Sequence, residues 1–179
     1  MKKGEIAKTI LKTLVSSGAV LALLALPGMS PMLKLFGNTD KTKKYKLNKS
    51  LRKLKEKKFV NIYYKDGREF IEITEKGKKK LLAYDFDDLE IVKPKKWDGL
   101  WRIVIFDIPE KKKYVRDTLN IKLKELGFKP IQKSTFVLPY DCEDLVCFIR
   151  EHLYARDGIQ YILAKKIEGE SDLKDYFGI

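Results

Sequence analysis

Apolar residues recur along this chain at helical spacing in some segments and at alternating spacing in others. Ile6, Ile10, Leu14 and Val15 fall on one side of a helical wheel, which predicts an amphipathic helix near the N-terminus. The uncharged run over residues 13–33, TLVSSGAVLALLALPGMSPML, overlaps its end. A run of that length suits a signal peptide or a membrane span. Its densest apolar part, residues 19–26, is short, however, and Gly18, Pro27, Gly28 and Pro31 interrupt it. It therefore reads as a buried helix of a small domain, with membrane insertion of residues 13–33 as an alternative.

The next segment, KTKKYKLNKSLRKLKEKK over residues 41–58, places its few apolar residues with order. Asn48 is a candidate N-cap for a helix over 49–57, and Leu51 and Leu54 lie one turn apart on a docked side. Residues 59–74, FVNIYYKDGREFIEIT, alternate around Asp66-Gly67, a strong hairpin signal because a type I′ turn needs positive φ at both central positions. That register sets Ile62 opposite Ile71 and Val60 opposite Ile73, with Lys65 and Arg68 at the tip. Thr74 then caps a helix that brings Leu81 and Leu82 to the core.

Residues 84–99 show no period and read as a linker, first acidic and then basic around Pro94. A strand over 100–108 follows, apolar on both parities: Trp101, Ile103 and Ile105 on one, Val104, Phe106 and Ile108 on the other. Next come a helix over 111–126 with the stripe Val115, Leu119, Leu123 and Leu126, closed by Gly127, and two short strands in FKPIQKS and TFVLPY. Asp141 is placed to cap a second helix with Leu145, Phe148, Ile149 and Leu153 inward. IQYILAKKI supplies a last strand, and the order is βαββαβ, a split ferredoxin-like sheet. Two helices cover only one face of such a sheet. The uncovered face would be an exposed apolar patch unless another subunit or domain packed on it, and an isologous homodimer is the commonest solution.

Charge sharpens the division. Residues 1–83 hold 21 Lys/Arg against 7 Asp/Glu, whereas residues 84–179 hold 17 against 18. A single-sign field confined to one half points to a polyanion, nucleic acid or an anionic membrane surface. Ten of the basic residues lie in 41–58 beside one acid, Glu56. Tyr45, Tyr63 and Tyr64 interleave with them, either to contact a backbone or to cover the small core.

Cys142 and Cys147 form neither a disulfide framework nor a metal pair with His152, the single histidine, and read as reduced thiols of a cytoplasmic protein. His152 reads as a solvated or helix-dipole-compatible residue near a helix end. Trp97 and Trp101 flank an Asp98-Gly99 turn and suit core or domain contacts. No catalytic set of acid, base and nucleophile emerges, and no cofactor is expected. Asp107 stands alone at a strand end before Pro109. It is either a metal ligand or a residue that shapes the turn by accepting backbone N–H groups or pairing with a lysine of 111–113 or Arg116.

The order helix, basic helix, hairpin with a basic tip, closing helix resembles the winged helix-turn-helix of transcription regulators, over residues 1–83. The resemblance implies that 49–57 is the recognition helix and that Lys43, Lys44, Lys46, Lys49, Arg52, Lys53, Lys65 and Arg68 contact double-stranded DNA. The stretch WDGLWRIVIFDIPEKKKYVRDTLNIKLKELGFKPIQKSTFVLPYDCEDLVCFI is similar to the central domain of the PaaX family, repressors of phenylacetate catabolism. That domain in turn resembles the small subunit of the CRISPR adaptation complex, a ferredoxin-like homodimer that is a metal-dependent nuclease in some members. The resemblance implies an α+β protein: a winged helix-turn-helix at 1–83, a linker at 84–99 and a ferredoxin-like dimerisation domain at 100–179. It further implies a homodimeric, sequence-specific DNA-binding repressor. The nuclease alternative would use Mg²⁺ at Asp107. Full-length relatives carry a further C-terminal region, whereas here the chain ends at Ile179, so no effector is carried over.

Overall fold

The computed structural model describes residues 4–17, 20–23, 41–65 and 68–179. Its contacts divide the chain into two units, residues 1–85 and 86–179.

In the first unit, helix α1 (Glu5–Ser16) is followed by strand β1 (Val20–Leu23), helix α2 (Lys41–Glu56), strands β2 (Val60–Lys65) and β3 (Arg68–Ile73), and helix α3 (Glu75–Asp87). The strands form one antiparallel sheet in the order β1-β3-β2. Part of the run expected to be a buried helix is therefore a strand: Val20–Leu23 pairs with Leu23 opposite Glu69 and Val20 opposite Glu72. Four apolar residues are too few to reveal a helical period, and the open edge of β3 offers their backbone groups partners. On α1 the inward residues are Ile10, Leu11 and Leu14, while Val15 is exposed. Val15 lies about 140° round the helix from Ile10, which takes it off the docked side.

The hairpin register is as the alternation predicts, Ile62 opposite Ile71 and Val60 opposite Ile73. Its tip, Asp66-Gly67, lies outside the described residues. Thr74 caps α3 as expected, its Oγ1 accepting the Gly77 N–H at 3.0 Å while donating to the Lys58 carbonyl at 2.7 Å. Gly77 has no substitute there: a Cβ would stand 2.0 Å from the Phe59 carbonyl oxygen. Leu81 is buried, but its neighbour Leu82, expected inward, is exposed.

The second unit has the element order strand β4 (Trp101–Phe106), helix α4 (Lys113–Glu125), strands β5 (Lys129–Gln132) and β6 (Thr135–Leu138), helix α5 (Glu143–His152), strand β7 (Ile159–Ala164) and helix α6 (Glu170–Phe177). Up to β7 this is the predicted βαββαβ order, in one antiparallel sheet arranged β5-β6-β4-β7. One face packs Val104, Phe106, Phe136 and Ile159 against Val115, Leu119 and Leu123 of α4 and Val146 and Ile149 of α5. Cys142, not Asp141, is the N-cap of α5, and Asp141 accepts the Glu143 N–H from one residue further back, at 3.4 Å.

Two expectations change in this unit. Residues 84–87, assigned to a linker, continue α3, and Phe86 is buried in the second core with Leu89 and Ile91 against it. The charged residues around them hide this periodicity. The second sheet face is also not bare. Helix α6, which the sequence does not predict, lays Leu173 on Trp101 and Val137, with Trp97, Ile103, Ala164 and Phe177 around them. Trp101 is fully buried, and its indole N–H donates to Glu170 at 3.3 Å.

Candidate nucleic-acid interface

Helix α2 carries the basic segment, and it begins at Lys41, well before the cap position assigned to Asn48. Asn48 is an exposed residue in mid-helix. The helix is held by Leu47, Leu51 and Leu54, spaced i, i+4, i+7, of which Leu47 and Leu54 are buried. Burying each leucine stabilises the docked helix by roughly 1.5–3 kcal/mol, which outweighs the few tenths that neighbouring like charges on one helix cost. Its C-terminal end closes with the Lys58 N–H on the Lys55 carbonyl at 2.9 Å and the Phe59 N–H on Leu54 at 2.9 Å. Lys58 there takes a left-handed φ of 57°.

With the leucine side fixed, the 100° step of the helix directs Tyr45, Lys49, Arg52 and Glu56 opposite to it, and Lys46 and Lys53 beside them. Lys46, Lys49, Arg52 and Lys53 are exposed and Lys44 is half-buried; the Lys43 side chain lies outside the described residues. Lys65 is exposed, directly opposite Arg68 in the β2–β3 ladder, so both flank the hairpin tip; the Arg68 side chain lies outside the described residues. Six of the eight expected contact residues thus share α2 and two share the tip.

The tyrosines do not cover the core. Tyr45 is 66% exposed with the Lys49 ammonium 5.8 Å from its ring centre. Tyr63 stacks on Phe70 at 5.4 Å on the outward side of the hairpin. Tyr64 donates to Glu69 at 3.1 Å, and that carboxylate raises the Tyr64 pKa.

In the second unit Asp107 follows β4, exposed. Its backbone, not its carboxylate, closes the strand: the Asp107 N–H donates to the Gly158 carbonyl at 2.9 Å. Among the described residues the carboxylate makes no hydrogen bond or ion pair. Arg116, a suggested partner, pairs with Glu110 at 2.8 Å instead. No group of three metal-ligating side chains occurs among the described residues.

Sequence reasoning missed two buried cations. Arg102, 5% exposed, forks onto Asp98 at 2.7 and 2.5 Å and donates to the carbonyls of Leu100 and Pro139 at 2.7 and 3.0 Å. The guanidinium hydrogen bonds hold the Asp98 carboxyl down at about 2. Lys122, also 5% exposed, donates to the Asp87 carbonyl at 3.0 Å and faces the Phe86 ring at 5.3 Å. The other neighbour of Phe86 is His152, stacked at 4.4 Å and followed by Phe148 at 5.9 Å. His152 thus ends α5 in its last turn, as expected, but half-buried in an aromatic stack, and burial lowers its pKa against the opposing pull of Asp87. The Cys142 thiol is buried and pushed up to about 12, which leaves it inert, while Cys147 is exposed.

Residues 94–175 match the family model of the PaaX protein central Cas2-like domain. The match lies wholly in the second unit and supports a PaaX-like relationship for the chain. Within the Cas2-like segment fall the Asp98–Arg102 fork, the β4–β7 sheet, Asp107 and most of α6. No curated protein matches the chain. The first unit, with its basic helix, lies outside the matched residues. No described helix is long and apolar enough to cross a membrane.

Proposed function

We propose that the protein is a sequence-specific double-stranded DNA-binding transcription regulator, a cytoplasmic homodimeric repressor. Its first unit would act as a winged helix-turn-helix and its Cas2-like segment as a ferredoxin-like dimerisation domain. The observation that carries this reading is α2: a helix docked by a leucine edge and presenting Lys46, Lys49, Arg52 and Lys53 to solvent. An α-helix of that kind fits the major groove, and lysines and arginines supply its phosphate contacts. The β1-β3-β2 sheet supports the same reading, because it places the Lys65–Arg68 tip at the end of a hairpin that follows this helix. A second copy would pack on what α6 leaves of the sheet face, Ile103, Ile105 and the exposed Ile162, beside the edge strand β7.

The test is the salt dependence of duplex binding. Replacing Lys49, Arg52 and Lys53 together by alanine should flatten the plot of log affinity against log salt by about 0.9 for each phosphate that is no longer neutralised. An unchanged slope would place the interface elsewhere. Sedimentation of the full chain should give a dimer, and a monomer at micromolar concentration would remove the dimer from the proposal. The metal-dependent nuclease reading rests on the exposed Asp107 alone, one carboxylate per chain, whereas Mg²⁺ at such sites takes one or two together with phosphate and water oxygens.

A further inference from the structure

The position of Asn48 changes what α2 offers to a ligand. As a helix cap its amide would be spent on backbone N–H groups. In mid-helix it is exposed, one turn before Arg52, whose side chain is 74% exposed. Asparagine and arginine are the side chains with flat, two-pronged hydrogen-bonding ends matched to adenine N6/N7 and guanine O6/N7. Lysines lack that fork and hold phosphates as point charges. On this outward side Lys49 already leans over the Tyr45 ring.

Glu56 adds a second observation. It is the single acid of residues 41–58, and its carboxylate faces Arg52 Nε at 3.6 Å. Against a polyanion an acid on the contact face costs affinity, so its position calls for a role. A carboxylate paired with Nε leaves the two terminal nitrogens, Nη1 and Nη2, for the fork onto a guanine edge.

We infer that α2 reads base edges with Asn48 and Arg52, Asn48 taking adenine and Arg52 guanine in the major groove, with Glu56 as the positioning residue for the Arg52 fork. This rests on the DNA-binding reading above. Four residues advance a helix by about 6 Å, and successive bases on a strand lie about 3.4 Å apart along the duplex. The two readouts therefore fall within about two base pairs of each other in each half-site.

Selection of bound sequences from a random duplex library, run with the full-length protein and its variants, tests this. The wild type should enrich a motif with an invariant guanine and adenine at that separation. Arg52→Ala and Arg52→Lys should each lose the guanine preference about tenfold while the adenine column survives, and Asn48→Ala should do the converse. Glu56→Gln should bind duplex of any sequence more tightly yet weaken the guanine preference, a pair of opposite changes that general loss of structure does not produce. Unchanged thermal midpoints of these exposed variants serve as the folding control. Variants that retain both columns, or lose affinity equally for all sequences, would overturn the assignment. Salt-dependent duplex binding by the wild type with no enriched motif would overturn it and leave general DNA binding standing. Failure to retain any duplex would remove both.

Discussion

Replacing Asp98 by asparagine keeps the shape of the Asp98–Arg102 fork and removes its charge. In the wild type the guanidinium side chain is 6% exposed and makes four short hydrogen bonds, two to Asp98 and two to the Leu100 and Pro139 carbonyls. The Asp98 carboxyl stands at about 2 instead of its ordinary 3.8. That difference corresponds to about 2.5 kcal/mol. Because the Asp98 side chain is 49% exposed, water screens the pair and about 1 kcal/mol is expected to remain. The carboxyl is depressed in the folded state. Its contribution is therefore fully present above about pH 4 and lost as pH falls through about 2. In a chain of this size 1 kcal/mol moves a thermal midpoint by about 2–4 °C. Asp98→Asn should melt lower by about that amount at pH 7 and at pH 4, and the gap should narrow at pH 2, where the wild type begins to lose the same charge. Equal midpoints at pH 7, or a gap that does not change between pH 7 and pH 2, would refute the claim that the ionised pair anchors this turn.

Asp107→Asn, at an exposed carboxylate with no partner among the described residues, should change stability by no more than about 0.5 kcal/mol in thermal melts. Purified wild type should show no Mg²⁺- or Mn²⁺-dependent cleavage of DNA or RNA; cleavage that disappears in Asp107→Asn with duplex binding retained would promote the nuclease reading. His152 has a lowered pKa, so the unfolded chain takes up its proton first and stability should decline as pH falls below about 6.5. His152→Phe, which keeps a ring between Phe86 and Phe148, should make the melting midpoint less dependent on pH between 7.5 and 5.5, and an identical pH dependence would count against burial as the cause.

What could be read from the sequence followed from local rules. The β2–β3 register came from alternation about Asp66-Gly67, and the βαββαβ order from strand-length apolar runs separated by helical stripes. Three features were hidden for physical reasons. Helix α6 is anchored by Leu173 as its only buried residue, so its segment carries no stripe to detect. Four of the first seven residues of α2 are lysine, which conceals Leu47 as the first member of the docked edge. Arg102 and Lys122 look like surface residues in any periodicity count, although each occupies an inward position. Lys122 sits one residue before Leu123 on the α4 stripe, and the Asp87 carbonyl, the Phe86 ring and the Glu125 carboxylate at 3.7 Å explain why a cation is tolerated there.

These hidden features bear on function unequally. Helix α6 weakens the sequence argument for a dimer, because Trp101, its strongest apolar term, is satisfied within one chain and only Ile103, Ile105 and Ile162 remain for a second copy. The earlier start of α2 strengthens the argument for DNA. A helix beginning at 49 would have put its N-terminal turn at the basic cluster and consumed Asn48 as a cap, leaving phosphate contacts as the main use of its lysines. A sixteen-residue helix beginning at Lys41 instead presents two full turns on the side opposite Leu47, Leu51 and Leu54. Lysines, which contribute affinity without discrimination, lie along that side, and the Asn48–Arg52 pair able to discriminate runs from its flank onto it. The Glu56 carboxylate is the test of which matters more, since its negative charge opposes the first and its contact with Arg52 serves the second.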